Sequence, residues 1–256
     1  MRESKGPFTA ALSDYNRRAA GLDHYKDSIN AVYGRPLPDS IRLTMQTRTR
    51  YLWDTVYPRA LLAYTRQHPA SYVAFWKLAS RVNAGYNPVY DTIYSSLAAT
   101  LKRTDAGRKL KKNLDGARTL GVGRQWSGFT LQDTAYKVRN VTLRAGAHKY
   151  TLVDFWESHC SPCKQQFAIY KTKYDAYKAL GLEIIAISTD YTKDTTLWKK
   201  IIHDNGYPWP QYLDENAHLA TSLSIDSYPR NFLLDEHNTI IMKDISPAQL
   251  DKILNK

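Results

Sequence analysis

Along the first 120 residues apolar side chains recur at three- and four-residue steps, the spacing of one helix face. Leu12, Tyr15, Ala19, Leu22 and Tyr25 form the first stripe, which Pro36 and Pro38 interrupt. Ile41, Met45, Tyr51, Leu52, Val56, Leu61 and Tyr64 carry the pattern over residues 41–67. Pro58 should kink or split that run, because it has no N–H and crowds the preceding turn. His68-Pro69 marks a break, and residues 71–82 read as the next helix. Asn87-Pro88, an N-cap followed by a first-turn proline, opens a helix expected to reach about residue 101. Thr104 or Asp105 opens the last one, expected to end near Asp115-Gly116. Ten of the 19 tyrosines fall in this half, where at helical spacing they read as amphipathic packing.

The period then changes. Residues 117–128 hold three glycines and little periodicity, so they read as a linker into a second domain. Residues 129–131 and 138–141 alternate like the strands of a hairpin. Residues 150–156 are apolar, aromatic and nearly chargeless, the mark of a buried strand. A helix is expected over 161–180, ended by Gly181, then a second buried strand over 182–188. Helices over 193–204 and 217–223 come next, then a strand pair over 230–234 and 239–242. Ser246-Pro247 caps and opens the final helix. This order predicts a mixed α/β layer fold over 121–256, preceded by an all-α region over 1–120.

Charge supports the division. Of the net +12, residues 1–120 hold 20 Lys and Arg against 9 Asp and Glu, and residues 121–256 hold 16 against 15. The basic half, not the second, would meet anionic partners. No finger, RNA-binding or helix-turn-helix signature accompanies it, so nucleic acid is not the expected partner and a solvated basic surface is. No run of ~18 apolar residues appears, and no signal peptide is visible in the first thirty residues.

The chain has two cysteines, Cys160 and Cys163. They sit where the strand at 150–156 meets the helix at 161–180, with Ser161 and Pro162 between them. Free N–H groups and the helix dipole favour a thiolate there. Three residues of separation in a first helical turn bring two sulfurs within disulfide distance. Pro162 fits the first turn, where its missing N–H has no partner. No thiol remains for a structural staple, and no second pair exists for a four-thiolate zinc site. Cys160, nearer the helix start, is the expected attacking thiolate and Cys163 the resolving one.

With these features in place, LVDFWESHCSPCKQQF resembles the active-site segment of thioredoxin-fold thiol–disulfide oxidoreductases. IDSYPRNFLLDEHNTII resembles their later segment. GFTLQD, LEIIAISTD and the insert containing Trp198 are similar to the TlpA/ResA-like branch, and HPASYVAFWKLAS to the region preceding that domain in envelope members of Bacteroidetes. The resemblance implies a thioredoxin-like fold, a central mixed sheet flanked by helices, and a redox-active disulfide as the only redox group, with no cofactor or metal. It implies a cis peptide at Pro229 facing the CxxC and a buried Asp154 exchanging a proton with Cys163; an ordinary polar group on a strand is the other reading of Asp154. Tyr228 and Trp156 would contact substrate. Protein disulfides would be the substrates, an envelope thiol protein the electron donor, and the periplasm or cell envelope the location, with the signal sequence lying outside this chain. The helical region would orient the redox domain towards a partner or a second copy.

The sequence departs from the family at His159, where tryptophan is usual, at Gln166, where several reductants have glutamate, and at Ala168, where proline is usual. A cationic His159 would favour the Cys160 thiolate. Gln166 puts a carboxylate acceptor at that position in doubt. Two other readings stand beside the reductase or isomerase. A thiol peroxidase would need proline and threonine where Val153 and Glu157 stand. A metal- or haem-handling or interaction module would use the pair without redox chemistry.

Overall fold

The computed structural model describes residues 5–33, 38–83 and 85–255, and Pro36 lies outside them. The chain divides into two compact units, Met1–Arg118 and Thr119–Lys256.

The first unit is helical. It contains α1 (Lys5–Ala11), α2 (Ser13–Tyr33), α3 (Asp39–Tyr51), α4 (Tyr57–Gln67), α5 (Tyr72–Asn83), α6 (Val89–Ser96), α7 (Ala99–Lys102) and α8 (Asp105–Thr119). Leu61, Leu78, Val82, Ile93 and Leu114 are its most deeply buried aliphatics, with Tyr64 and Tyr90 among them. The tyrosine stripe therefore packs in part, while Tyr51 and Tyr72 stay exposed.

Three expectations change here. The interruption at Pro58 takes the form of a π-helical turn, Leu52–Val56, that keeps the run helical from Asp39 to Gln67. Pro58 has no N–H for the Asp54 carbonyl, and Asn87 Nδ2 donates to that carbonyl instead at 2.7 Å. The helix opening at Asn87-Pro88 stops at Ser96, not near 101. Leu97 and Ala98 turn extended, and the Ala98 N–H donates to the Pro69 carbonyl at 2.8 Å. The hydroxyls of Ser95 and Ser96 return to the carbonyls of Asp91 and Thr92, which weakens that last turn. Finally, α8 runs through Gly116 to Thr119, because Leu114 and Ala117 on the same helix are buried and hold the final turn in place.

The second unit is a seven-stranded sheet in the order β2-β1-β5-β4-β3-β6-β7. The strands are β1 (Gly128–Asp133), β2 (Val138–Thr142), β3 (Tyr150–Trp156), β4 (Leu182–Ser188), β5 (Gln211–Leu213), β6 (Arg230–Asp235) and β7 (Ile240–Lys243). The helices are α9 (Ser161–Ala179), α10 (Thr195–Asn205), α11 (His218–Ser222) and α12 (Pro247–Leu254). β3 lies inside the sheet, parallel to β4 and antiparallel to β6. Alternate residues of these strands feed two cores. Leu152, Trp156, Ile184, Ala186 and Leu233 face α9, Trp198 of α10 and Leu250 of α12. Val153, Phe155, Ile187, Phe232 and Leu234 face Trp126, Phe129 and Ala220 of α11. Burial on both faces explains why residues 150–156 are almost uniformly apolar.

Residues 117–128 are not a free linker. Leu120 and Trp126 are buried, and the backbone runs along the sheet, with Gly123 N–H donating to Ile240 O and Trp126 N–H to Asn238 O. Gly128 must be glycine, since its φ is 141° and a Cβ there would meet the Val141 carbonyl. The three-residue β5 has no counterpart in the sequence reading, because it is too short to carry a period of its own.

Candidate active site

β3 ends at Trp156 and α9 begins at Ser161, so the loop between them sits at the carboxyl end of an interior strand. Cys160 is the N-cap of α9, and its sulfur accepts from the Cys163 N–H at 3.1 Å. The two cysteines form a disulfide, with their Cα atoms 5.3 Å apart. Cys160 retains 7 % exposure and lines a surface groove, whereas Cys163 is fully buried. Pro162 occupies the first turn, and Ser161 and Pro162 are both exposed.

The loop is clamped from β4. Asp190, buried just beyond that strand, accepts from the Ser158 N–H at 3.1 Å and from the Ser158 hydroxyl at 2.6 Å. Its other oxygen accepts from the Ser188 hydroxyl at 2.6 Å. Thr189 donates its N–H to the Trp156 carbonyl at 2.9 Å, and Lys164 Nζ donates to the Ser158 carbonyl at 3.0 Å. Sequence reasoning assigns Asp190 no role, although it lies in LEIIAISTD. The one signal for it is a carboxylate close behind an apolar strand.

Asp154 lies on β3 between Ala186 of β4 and Asn231 of β6. It is fully buried, and neither carboxylate oxygen has a protein hydrogen-bond partner. Burial, reinforced by the charge of Asp244, pushes its carboxyl well above the usual carboxylate range. Asn231 is occupied by the backbone of Ile245, donating to its carbonyl at 3.0 Å and accepting its N–H at 2.9 Å. Gln166 donates to the Tyr170 hydroxyl at 2.5 Å and to the Ile245 carbonyl at 3.3 Å. The Asp154 charge contributes to raising the Tyr170 phenol, after burial, which places the two groups within electrostatic reach.

The Tyr228–Pro229 peptide is cis. Tyr228 lines a groove of about 650 Å³ together with Glu157, His159, Cys160, Tyr191 and Asp226. Burial pushes the Tyr228 phenol up to about 12. The His159 ring is exposed, with Nε2 3.2 Å from Asp194 Oδ1. One expected contact residue lies elsewhere. Trp156 is fully buried against Phe167 and Tyr207, under the site and not on its surface. As the last residue of a strand covered on both faces, its side chain has only the core to enter. Among the described residues, no group of three His, Cys, Asp or Glu side chains could hold a metal, and no helix is long and apolar enough to cross a membrane.

Residues 122–243 match the AhpC/TSA family. Thiol-disulfide oxidoreductase ResA of Bacillus cereus is 25% identical over 138 residues, covering 53% of this chain and 78% of that protein. ResA of Bacillus subtilis is 24% identical over 126 residues, covering 49% and 68%. Among solved structures, the thioredoxin domain of a thiol-disulfide oxidoreductase from Bacteroides vulgatus aligns with TM-score 0.45 and 28% identity, covering 53% of this chain and 99% of that one.

Proposed function

We propose that this chain, a TlpA/ResA-like thioredoxin-fold thiol–disulfide oxidoreductase, works as a reductase or isomerase of protein disulfides through Cys160 and Cys163. The observation that carries the reading is a disulfide at the N-cap of α9 in which Cys160 lines a surface groove and Cys163 is fully buried.

In the reduced protein the Cys160 thiolate attacks one sulfur of a substrate disulfide. A Cys160–substrate disulfide forms and the other substrate sulfur leaves as a thiolate, which takes a proton from water. Cys163 then loses its proton and attacks the Cys160 sulfur, expelling the second substrate thiolate. The substrate gains two electrons and the protein ends as the Cys160–Cys163 disulfide. The Cys163 proton is the difficult one, because that sulfur is sealed from solvent. Asp154 serves as its acceptor through water, and its upward displacement moves it towards a thiol and makes the transfer less uphill. The helix N-terminus stabilises the Cys160 thiolate, with Ser161 and Pro162 shaping the turn and His159 adding charge when protonated. The backbone beside Tyr228 and Pro229 aligns an extended substrate by strand-type hydrogen bonds.

The Cys160–Cys163 dithiol itself supplies the two electrons, so the reaction calls on no bound cofactor. An envelope thiol protein returns the dithiol form, and the chain acts in the periplasm or cell envelope. The helical region, residues 1–120, orients the redox domain (residues 121–256) towards that partner or a second copy. The deciding test is dithiol-driven insulin reduction. Turnover is expected, with complete loss in Cys160→Ser; full activity in that variant would overturn the reading.

A further inference from the structure

We propose that the groove beside Cys160 selects disulfides flanked by lysine or arginine, and that Glu157 and Asp226 are its specificity-determining residues. This rests on the reductase reading above and names the chemistry of its substrates.

The groove and the chain differ in charge. The chain as a whole is strongly basic, at +12. Yet the groove of about 650 Å³ that reaches Cys160 has two carboxylates, Glu157 and Asp226, and no lysine or arginine among its described lining residues; the one basic side chain among them is His159, which faces the Asp194 carboxylate. Two cations nearby are tied to partners, although Arg230 also lies within electrostatic reach of Asp226. Arg230 Nη1 pairs with Asp244 at 2.7 Å and its Nη2 donates to Ser227. Lys164 is turned onto the Ser158 carbonyl. Lys193 is exposed, one residue before Asp194, whose carboxylate faces His159 at 3.2 Å. Charges more than ~8–10 Å away through salt solution are largely screened, so the carboxylates that line the groove weigh most in the field a substrate meets there. The remaining walls suit the same ligand. Tyr191 is 57% exposed and Tyr228 lines the same groove, offering ring faces and phenol oxygens to an ammonium or guanidinium. Glu157 lines the groove together with Cys160, and its charge reaches the Tyr228 phenol there. A cationic flank gains this field on approach and in the mixed disulfide, and an anionic flank is repelled at both stages.

The test uses the reduced 256-residue chain and three small disulfides: cystamine, bis(2-hydroxyethyl) disulfide and dithiodiglycolate, cationic, neutral and anionic. Each second-order rate is divided by that of dithiothreitol with the same disulfide, which removes intrinsic reactivity. At low salt the normalised rates should rank cationic, neutral, anionic, with a cationic-to-anionic ratio of about 10–100-fold that falls towards one near ~0.5 M salt. The Glu157→Gln, Asp226→Asn double variant should reduce the ratio to within about 3-fold. A peptide disulfide flanked by lysine should outrun its glutamate-flanked counterpart in the same sense. Equal normalised rates, or a ratio indifferent to salt in the unaltered protein, overturn the inference, and the salt series decides even where the double variant fails to fold. If the reduced protein does not act on the neutral disulfide, the reductase reading itself falls.

Discussion

Asp190 holds Ser158. The carboxylate at the end of β4 accepts both the backbone N–H and the hydroxyl of the residue two places before Cys160, at 3.1 and 2.6 Å. Both residues are buried, so these bonds are made away from competing water. They tie the reactive loop to the neighbouring strand.

Asp190→Ala should therefore strand the Ser158 donors, with a loss of about 2–4 kcal/mol in the urea unfolding free energy. Insulin reduction should fall with it, because the loop that sets the direction of Cys160 is released. Asp190→Asn, which keeps an acceptor, should lose less of both. An unchanged unfolding midpoint and turnover in Asp190→Ala would show that Ser158 is positioned by something else.

Asp154 makes a prediction in pH. Its folded carboxyl is displaced upward by burial and by Asp244, so between the unfolded value of about 3.9 and the higher folded value the folded state binds the extra proton. That contribution is fully present below about pH 3.9 and is lost as pH rises through the folded value. Stability of the oxidised protein should decline across that window, and Asp154→Asn should flatten the decline. Asp154→Ala should unfold at higher urea at pH 8 than the parent, by on the order of 1 kcal/mol, since an unpaired buried polar group is removed. Both variants should reduce insulin more slowly at neutral pH. Equal turnover across pH 6–9 would remove Asp154 from the proton transfer.

The pairing of His159 with Asp194 makes the tuning of Cys160 separable from the helix effect. Iodoacetamide alkylation of the reduced protein, followed against pH, should show a reactive Cys160 in His159→Ala as well, because the N-cap position remains. The His159→Ala profile should move to higher pH than the parent profile. Superimposed profiles would leave the helix terminus as the sole influence.

The two units can be tested apart. Residues 119–256 contain both faces of the sheet with their own cores, so this segment should fold and keep insulin reductase activity. Circular dichroism and the insulin assay check both points. A folded segment inactive towards every small disulfide would assign the helical residues a part in the active site.

The sequence by itself determined whatever depends on local periodicity and on single-residue chemistry. β3 and β4 are bounded at Tyr150–Trp156 and Leu182–Ser188 where a mostly apolar run starts and stops, because a strand buried on both faces tolerates few polar residues. α9 starts at the CxxC and α12 at Ser246-Pro247, because caps and first-turn prolines act within four residues. The cysteine pair was legible for the same reason.

The tertiary structure decided what depends on partners distant in sequence. The carbonyl that Pro58 leaves free is taken by Asn87, so a proline expected to interrupt a helix produces a π turn instead. Ala98 leaves its helix for the Pro69 carbonyl. The glycine-rich stretch at 117–128 is held by β7 and by a buried Trp126, contacts that composition cannot reveal. Trp156 went to the core because the faces of β3 were already set by their neighbours. The acid-lined groove joins residues near 157, 191 and 226. Local rules determine where elements begin and end, and only the folded chain determines which charges meet beside the sulfur, since that field is a sum over segments brought together from three parts of the sequence.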